Sequence, residues 1–283
     1  MIILNGKLFD PGAPESTLLN RAFRYGDGLF ETIRIHSGNP LFVPHHLNRL
    51  ISGMKAMKFD FIPGFFRETI LEEMKRIREL NGIENHGKIT IHVFRAGEGG
   101  YRPTTRSPHY LIEGYSFKND YYQSRTTYSL TSYTDFPLST GLLSGFKTSS
   151  ALPYVMAAMH AADQGFDDAV LFCDGYVSET SGANVFIVEK QKIFTPPLTS
   201  GCVAGIMRQQ VIRLAGEVKL PLSEKKLKAR DLRQADEIFI TNSVRGILPV
   251  KQWETTIFDT QAYTITPFLR NCLNQMIKAR ANE

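Results

Sequence analysis

The sequence predicts an α+β protein made of two domains. Its 283 residues suffice for two modest domains with a sizeable core, and 42% hydrophobic with 22% charged residues is ordinary for a globular chain. Segments that alternate like strands are mixed with segments of helical spacing, and no internal repeat is visible. We place an N-terminal α+β domain at residues 1–117, a polar connection at 118–123 and a C-terminal domain at 124–283.

Turn residues and apolar periodicity define the elements of the N-terminal domain. Asn5-Gly6 is a typical two-residue turn between two short strands. In residues 63–80 apolar side chains recur on one helical face, and Asn81-Gly82 ends that helix. The expected elements are a hairpin at residues 2–9, strands at 29–35, 88–94 and 109–115, and helices at 45–57, opened by Pro44, and at 63–80.

The C-terminal domain contains a block in which a lysine and a carboxylate flank a helix and a strand. Lys147 precedes a helix-like run, Ser150 to Gln164, which stops at Gly165, and a strand from Ala169 to Cys173 leads towards Glu179. The further expected elements are a strand at residues 193–195, a helix between Gly205 and Gly216, a strand at 236–241 and a closing helix from Pro267 to about Arg280 with Thr266 as its N-cap.

Lys147 and Glu179 suit one kind of chemistry when they act together. A helix N-terminus disfavours an ammonium ion, so a lysine there is expected to hold a neutral amine more readily. Such a lysine suits a Schiff base with an aldehyde cofactor such as pyridoxal phosphate, whose pyridine nitrogen needs an acidic partner. Taken singly, a lysine or a glutamate is more often a solvated surface residue.

The block resembles the core of the class IV aminotransferase family, the fold type IV pyridoxal-phosphate enzymes. After Lys147 follow A-x-x-x-G-x-x-D-A-x-L and then S-E-x-x-x-x-N-V-F, and the similarity extends with gaps over nearly the whole chain. The resemblance implies that pyridoxal 5'-phosphate binds in the cleft between the domains, with the C-terminal domain as the main cofactor-binding part. It also implies Lys147 as Schiff base and proton shuttle, Glu179 on the pyridine nitrogen, and a homodimer.

Two N-terminal segments extend the resemblance. FRYGDGLFETIR is similar to the family's Y-G-D-G-x-F-E-T-x-R, which lines one wall of the active site. By that likeness Phe30 and Thr32 face the cofactor and Tyr25 reaches in from the turn. The H-x-x-R-L pattern implies that Arg49 holds the cofactor phosphate through a fork contact that lysine could not copy. The alternative interpretations are a strand packed on a core and a surface arginine.

The remaining phosphate contacts are expected near a helix start and after a strand. A helix N-terminus presents unpaired N–H groups to anions, which places a phosphate at Ile206 and Met207. The family has G-I-T-R here in most aminotransferases and G-I-M-R-Q in some 4-amino-4-deoxychorismate lyases, and this chain has the second form. Ser243 aligns with the family's phosphate-binding hydroxyl, and Asn242 is its neighbour.

Three functions are open. The favoured one is a lyase that releases pyruvate from 4-amino-4-deoxychorismate and leaves 4-aminobenzoate for folate biosynthesis. The second is a transaminase for branched-chain or D-amino acids with a keto-acid acceptor, and the third a non-catalytic basic binding protein. G-I-M-R-Q, Thr32 and the glycine loop before Tyr101 favour the lyase. In the family this loop approaches the substrate carboxylate, so Arg95, at its base, and Tyr101 are candidates for contacts with the substrate. Leu152 stands where many branched-chain members have tyrosine.

Charge, cysteine content and hydropathy exclude other classes. The net charge of +5 comes from dispersed basic residues, and the densest stretch, 224–230, is interpreted as a solvated face. Basic residues interleaved with aromatics, as nucleic-acid binding needs, are not visible. The three cysteines are far apart, no metal site is indicated, and no apolar run suggests a signal peptide or membrane span. We therefore expect a cytoplasmic protein.

Overall fold

The computed structural model describes residues 1–10, 20–118 and 127–281. The chain forms two compact units: one comprises the described residues of Met1–Asp120 with Phe146–Ala151, and the other those of Tyr121–Gly145 with Leu152–Glu283. Beyond Lys118, the predicted connection at 118–123 lies outside the described residues. The units differ from the predicted division at one place, because the segment that carries Lys147 groups with the first unit.

The first unit is an antiparallel sheet with two helices packed on it. Its strands are β1 Ile2–Leu4, β2 Lys7–Phe9, β3 Gly28–His36, β4 Asn39–Pro40, β5 Gly87–Arg95 and β6 Pro108–Ser116, and its helices are α1 Arg21–Tyr25, α2 Val43–Ala56 and α3 Pro63–Leu80. Among the described residues the strand order is β2-β1-β6-β5-β3-β4. Buried apolar residues of the sheet and of the helices α2 and α3 form one core.

Local sequence rules predicted this unit closely. The helix at 63–80 has the predicted bounds, and its buried residues are Phe66, Ile70, Met74 and Ile77, the face that helical spacing selects. Asn5 and Gly6 both have positive φ, at 48° and 80°, as a two-residue hairpin turn requires. Each of these patterns specifies a buried face or a turn within one element, so it can be read without knowing which distant residues the element contacts.

The second unit is built on a sheet that closes on itself. Its strands are β7 Tyr128–Tyr133, β8 Asp168–Cys173, β9 Tyr176–Thr180, β10 Asn184–Glu189, β11 Lys192–Thr195, β12 Leu222–Glu224, β13 Glu237–Asn242, β14 Gly246–Trp253 and β15 Thr256–Ile257, which pairs with β14. In the described part the strand order is β12-β11-β10-β13-β14-β7-β8-β9. The last strand, β9, pairs with β10 through Glu179 and Asn184, so that the strands from β10 to β9 form a closed ring. The helices are α4 Leu152–Asp163, α5 Ile206–Glu217, α6 Ala229–Arg233 and α7 Ile265–Ala281.

Two helix bounds in this unit correct the predictions. Helix α4 begins at Leu152 and not at Ser150, so Lys147 is farther from the helix start than the sequence suggested. Helix α5 continues through Gly216 to Glu217, where Val218 caps it, so the predicted stop at that glycine is wrong. Glycine inside a helix costs only about 1 kcal/mol, and the buried face of α5 outweighs that.

A third correction concerns the start of α7. Thr266 was predicted as its N-cap, but the helix begins at Ile265 and Thr266 lies inside it. The buried carboxylate of Glu237, on β13, accepts the N–H groups of Thr264, Ile265 and Thr266 at 2.7, 2.9 and 2.8 Å. A carboxylate satisfies the unpaired amides of the first turn and complements the helix dipole. A distant residue thus supplies the cap.

Other sequence expectations concern the surface and the thiols. Within the described residues, no helix combines the length and the apolar character needed to cross a bilayer. Cys173, Cys202 and Cys272 are free thiols. In the basic stretch 224–230, Lys225 lies 5.0 Å over the ring of Phe194, and Lys226 lies 5.0 Å over that of Tyr176. These lysines cover aromatic rings of their own unit.

Candidate active site

Lys147 lies on a short extended segment that pairs with β3, the strand that contains part of the FRYGDGLFETIR motif. The carbonyl of Lys147 accepts the N–H of Phe30 at 2.9 Å, and the N–H of Ser149 donates to the carbonyl of Gly28 at 2.9 Å. A Cβ at Gly28 would lie 2.8 Å from both Ser149 Oγ and the carbonyl oxygen of Val93. The close approach of this segment to β3 therefore requires glycine at position 28.

The amine of Lys147 lies over one face of β3. Its Nζ is 4.5 Å from the centre of the Phe30 ring, a cation–π distance. Phe30 and Thr32 are half-buried on this face, whereas Glu31 and Ile33 are buried on the other, as strand alternation predicts. Residues two apart on a strand are about 7 Å apart, so the Thr32 hydroxyl is the next polar group along the face that Lys147 covers.

On the other face of β3, the Glu31 carboxylate contacts both Arg49 and His46. Arg49 donates from Nε to Glu31 Oε1 and from Nη2 to Oε2, both at 2.7 Å, and His46 Nδ1 is 2.6 Å from Oε2. Burial alone would raise the pKa of Glu31, but the Arg49 charge and the hydrogen bonds from His46 and Arg49 lower it to about 2. This fork contact fixes the guanidinium plane of Arg49 on helix α2.

Glu31→Gln is expected to destabilise the protein by roughly 3 to 5 kcal/mol, because it removes the buried carboxylate that Arg49 and His46 share. Urea unfolding of the variant and the wild type measures this difference. Glu113→Gln is the matched control, since Glu113 lies on the same sheet but is partly exposed, and we expect a change below about 1 kcal/mol.

The same difference should depend on pH. The folded-state pKa of Glu31, about 2, lies below the ordinary value of 4.5, so its contribution is complete above pH 4.5 and is lost as the pH falls from 4.5 towards 2. Wild-type protein and Glu31→Gln should therefore converge in stability at acid pH. A gap that stays constant down to the acid transition would contradict the ion pair.

Arg95 and Tyr101, predicted as substrate residues, lie in positions that do not indicate substrate binding. Arg95 is 7% exposed, and its guanidinium donates to Asp27 at 3.1 Å and to the carbonyls of Met57 and Lys58 at 2.7 and 3.3 Å. These contacts give Arg95 a structural role in the base of the loop. Tyr101 is 94% exposed, and its ring centre is 5.8 Å from that of Tyr25. The carboxylate-binding role of Arg95 thus gains no support from its position.

In the second unit, Glu179 accepts hydrogen bonds from Tyr154, Asn184 and Val203. It lies on β9 and is 4% exposed. Its Oε1 accepts the Tyr154 hydroxyl at 2.8 Å and the Val203 N–H at 3.0 Å, and its Oε2 accepts Asn184 Nδ2 at 3.2 Å. Asn184 Nδ2 also donates to the Val203 carbonyl at 2.9 Å. Donors to a buried carboxylate favour its charged form, so this set prepares Glu179 to face a cation.

The start of helix α5 lies beside this carboxylate. Gly205 is the N-cap, and a Cβ there would lie 1.9 Å from Asn184 Oδ1, so only glycine fits. Ile206 and Met207 follow, each 1% exposed, and their N–H groups belong to the first turn, which offers them no acceptor of its own. An anion is the natural partner of such a helix end.

The predicted serine follows strand β13. Thr241 pairs with Asn184 in the sheet register, and Asn184 pairs with Glu179, so the three residues lie on adjacent strands. Asn242 Oδ1 accepts the N–H groups of Val244 and Arg245 at 3.1 and 2.8 Å, which shapes the turn. Ser243 is half-buried in that turn. The register thus brings Glu179, the start of α5 and the Ser243 turn to one region of the second unit.

Several residues of this region escaped the sequence prediction. Tyr154 lies two residues after Leu152 and belongs to no motif, and Asn184 is only a letter of the S-E-x-x-x-x-N motif. The motif spacing could have pointed to Asn184, since the turn after Glu179 brings it opposite that carboxylate. For Tyr154 no local pattern exists, because its partner lies on another element.

The sequence and the fold are similar to those of known proteins. The sequence model of the amino-transferase class IV family matches residues 28–253. A putative branched-chain-amino-acid aminotransferase of Methanocaldococcus jannaschii is 30% identical over 88% of this chain and 86% of its own length. An aminodeoxychorismate lyase of Vibrio harveyi is 31% identical over 84% and 88%. The branched-chain aminotransferase of Thermoproteus uzoniensis, crystallised with norvaline, has the same fold, with a TM-score of 0.86, 24% identity and coverage of 98% and 94%.

Proposed function

Because this chain belongs to the class IV aminotransferase family and is a pyridoxal-phosphate-dependent enzyme, we propose that it uses Lys147 and Glu179 to act on a small amino-carboxylate substrate. The reaction we favour is that of 4-amino-4-deoxychorismate lyase. Lys147 forms the Schiff base, Glu179 pairs with the pyridine nitrogen, and Arg49, Ile206, Met207 and Ser243 contact the phosphate, with Asn242 shaping the turn. A homodimer stays a prediction.

The residues present fit this cofactor. A carboxylate that accepts three hydrogen bonds, a glycine-only helix start and a lysine on an aromatic face are the donor set that it needs. When bound, pyridoxal phosphate supplies an aldehyde that condenses with amines and a ring that accepts an electron pair. The Glu31 fork fixes the guanidinium plane of Arg49, and we propose that Arg49 contacts the phosphate in that orientation.

The observation that carries the choice of the lyase is the Thr32 hydroxyl on the face that Lys147 covers. Both candidate reactions begin when Lys147 removes the proton from the carbon that bears the substrate amine. In the lyase, the ether C–O bond then breaks, the enolpyruvyl group takes up a proton and leaves as pyruvate, and the ring becomes aromatic. We assign the delivery of that proton to Thr32. The atoms balance without an acceptor or added water.

The transaminase is the second candidate, and the Methanocaldococcus relative favours it. A transaminase must return the proton to the cofactor carbon and then bind a keto acid, so Lys147 alone suffices for its proton transfers. The half-buried Thr32 hydroxyl has no part in that cycle. Thr32 therefore separates the two reactions, whereas Lys147 and Glu179 serve both.

The test is to give the purified holoenzyme 4-amino-4-deoxychorismate alone, and then leucine, glutamate and D-alanine, each with a keto acid. We expect pyruvate and 4-aminobenzoate without any acceptor. Thr32→Val keeps the shape and removes the hydroxyl, and should lower lyase turnover by about 10² to 10⁴ while the bound cofactor keeps its visible absorption. Efficient amino transfer with no 4-aminobenzoate would overturn the lyase and leave the cofactor assignment intact.

A further inference from the structure

Tyr154 makes a contact that the family motifs do not call for. It lies in the first turn of helix α4, and its hydroxyl donates to Glu179 Oε1 at 2.8 Å. Leu152, which stands where many branched-chain members of the family have tyrosine, is 59% exposed. A tyrosine at a different helical position therefore reaches the carboxylate.

The three donors of Glu179 are not equivalent. The Val203 N–H belongs to the main chain, and Asn184 is shared between Glu179 and the Val203 carbonyl. Tyr154 alone donates to Glu179 a hydroxyl proton that a phenylalanine would remove at almost constant volume.

The Tyr154 hydroxyl remains protonated and can donate a hydrogen bond. Burial and the neighbouring Glu179 carboxylate raise the pKa of Tyr154 above its ordinary value of 10, so the hydroxyl stays protonated wherever the protein is folded. A hydrogen bond to a charged group is worth more than one between neutral groups, and it makes the carboxylate a weaker base. Removing the phenol proton donor should therefore make Glu179 more basic.

We propose that Tyr154 is a positioning residue that, through Glu179, keeps the shared proton on the pyridine nitrogen of the cofactor. The inference rests on the proposed role of Glu179. With the Tyr154 hydroxyl as a donor, Glu179 is a weak enough base to leave the proton on the ring, which then accepts electrons well. Without this donor, the proton moves towards the carboxyl oxygen and the ring becomes a poorer electron acceptor.

The experiment uses holoenzyme reconstituted with pyridoxal phosphate labelled with ¹⁵N in the ring, since the nitrogen shift reports directly whether the ring is protonated. In Tyr154→Phe we expect the nitrogen shift at neutral pH to move towards that of an unprotonated ring, and turnover to fall by about 10- to 100-fold. Replacing Tyr154 by difluorotyrosine, a stronger donor, should move the nitrogen shift in the opposite direction.

Tyr263→Phe is the matched control. Tyr263 is a buried tyrosine of the same unit, and its hydroxyl accepts the Ile238 N–H at 3.1 Å and donates to the Val250 carbonyl at 2.8 Å. Its loss should lower stability and leave the nitrogen shift of the bound cofactor unchanged. Equal nitrogen shifts in wild type, Tyr154→Phe and the difluorotyrosine protein would overturn the inference.

The result also separates this inference from the role of Glu179. If Glu179→Gln leaves the nitrogen as protonated as in wild type, Glu179 is not its partner, and both statements fall. If Glu179→Gln removes the proton but Tyr154→Phe does not, the Glu179 assignment stands and Tyr154 is only a packing residue.

Discussion

Lys147→Ala is expected to abolish the covalent link to the cofactor and to lower turnover by about 10⁴-fold or more, because one amine serves both as the Schiff base and as the proton carrier. Borohydride treatment of the wild-type holoenzyme should fix the cofactor on the single peptide that contains Lys147. The variant should bind pyridoxal phosphate reversibly and give no reducible adduct. Mass spectrometry of the digested protein measures the label.

Lys88→Ala is the matched control for this prediction. Lys88 is also a lysine of the first unit whose amine lies over an aromatic ring, 5.1 Å from the centre of Tyr115. It should keep both the label on Lys147 and the turnover. A label on another lysine of the wild-type protein, or none after reconstitution, would refute the assignment of Lys147.

Glu179→Gln is expected to keep the cofactor bound and to lower turnover by about 10³-fold, which corresponds to roughly 4 kcal/mol of lost charge stabilisation in a buried site. The amide has the same shape but no charge. Its NH₂ group would also face Asn184 Nδ2, which is a donor, so we expect about 1 to 3 kcal/mol less stability. Cofactor titration, steady-state kinetics and thermal unfolding measure the three effects.

Glu237→Gln separates loss of charge at the site from loss of a buried carboxylate in general. Glu237 is also 4% exposed, in the same unit, and accepts three main-chain N–H groups at the start of α7. Its amide variant should lower the melting temperature without changing turnover per bound cofactor. Equal turnover losses in both variants would show that Glu179 acts through stability and not through charge.

The sequence by itself determined the elements whose rules are local. Helix Pro63–Leu80 and its buried face follow from apolar spacing, and the Asn5-Gly6 hairpin follows from residues that tolerate positive φ. The family block around Lys147 and Glu179 determined the cofactor class, because a lysine and a glutamate in a fixed order of elements carry that chemistry. These features depend only on neighbours along the chain.

Only the tertiary structure decided which side chains meet. Glu31 and Arg49 are 18 residues apart, and their fork contact exists because helix α2 packs on the buried face of β3. Tyr154 and Glu179 are 25 residues apart and meet only once α4 packs beside the strand ring. A hydrogen bond requires its donor and acceptor within about 3 Å, whereas a periodic pattern specifies a face and not a position. For that reason Lys147 and Glu179 could be predicted from the sequence, whereas the residues that orient the site could be identified only in the folded structure.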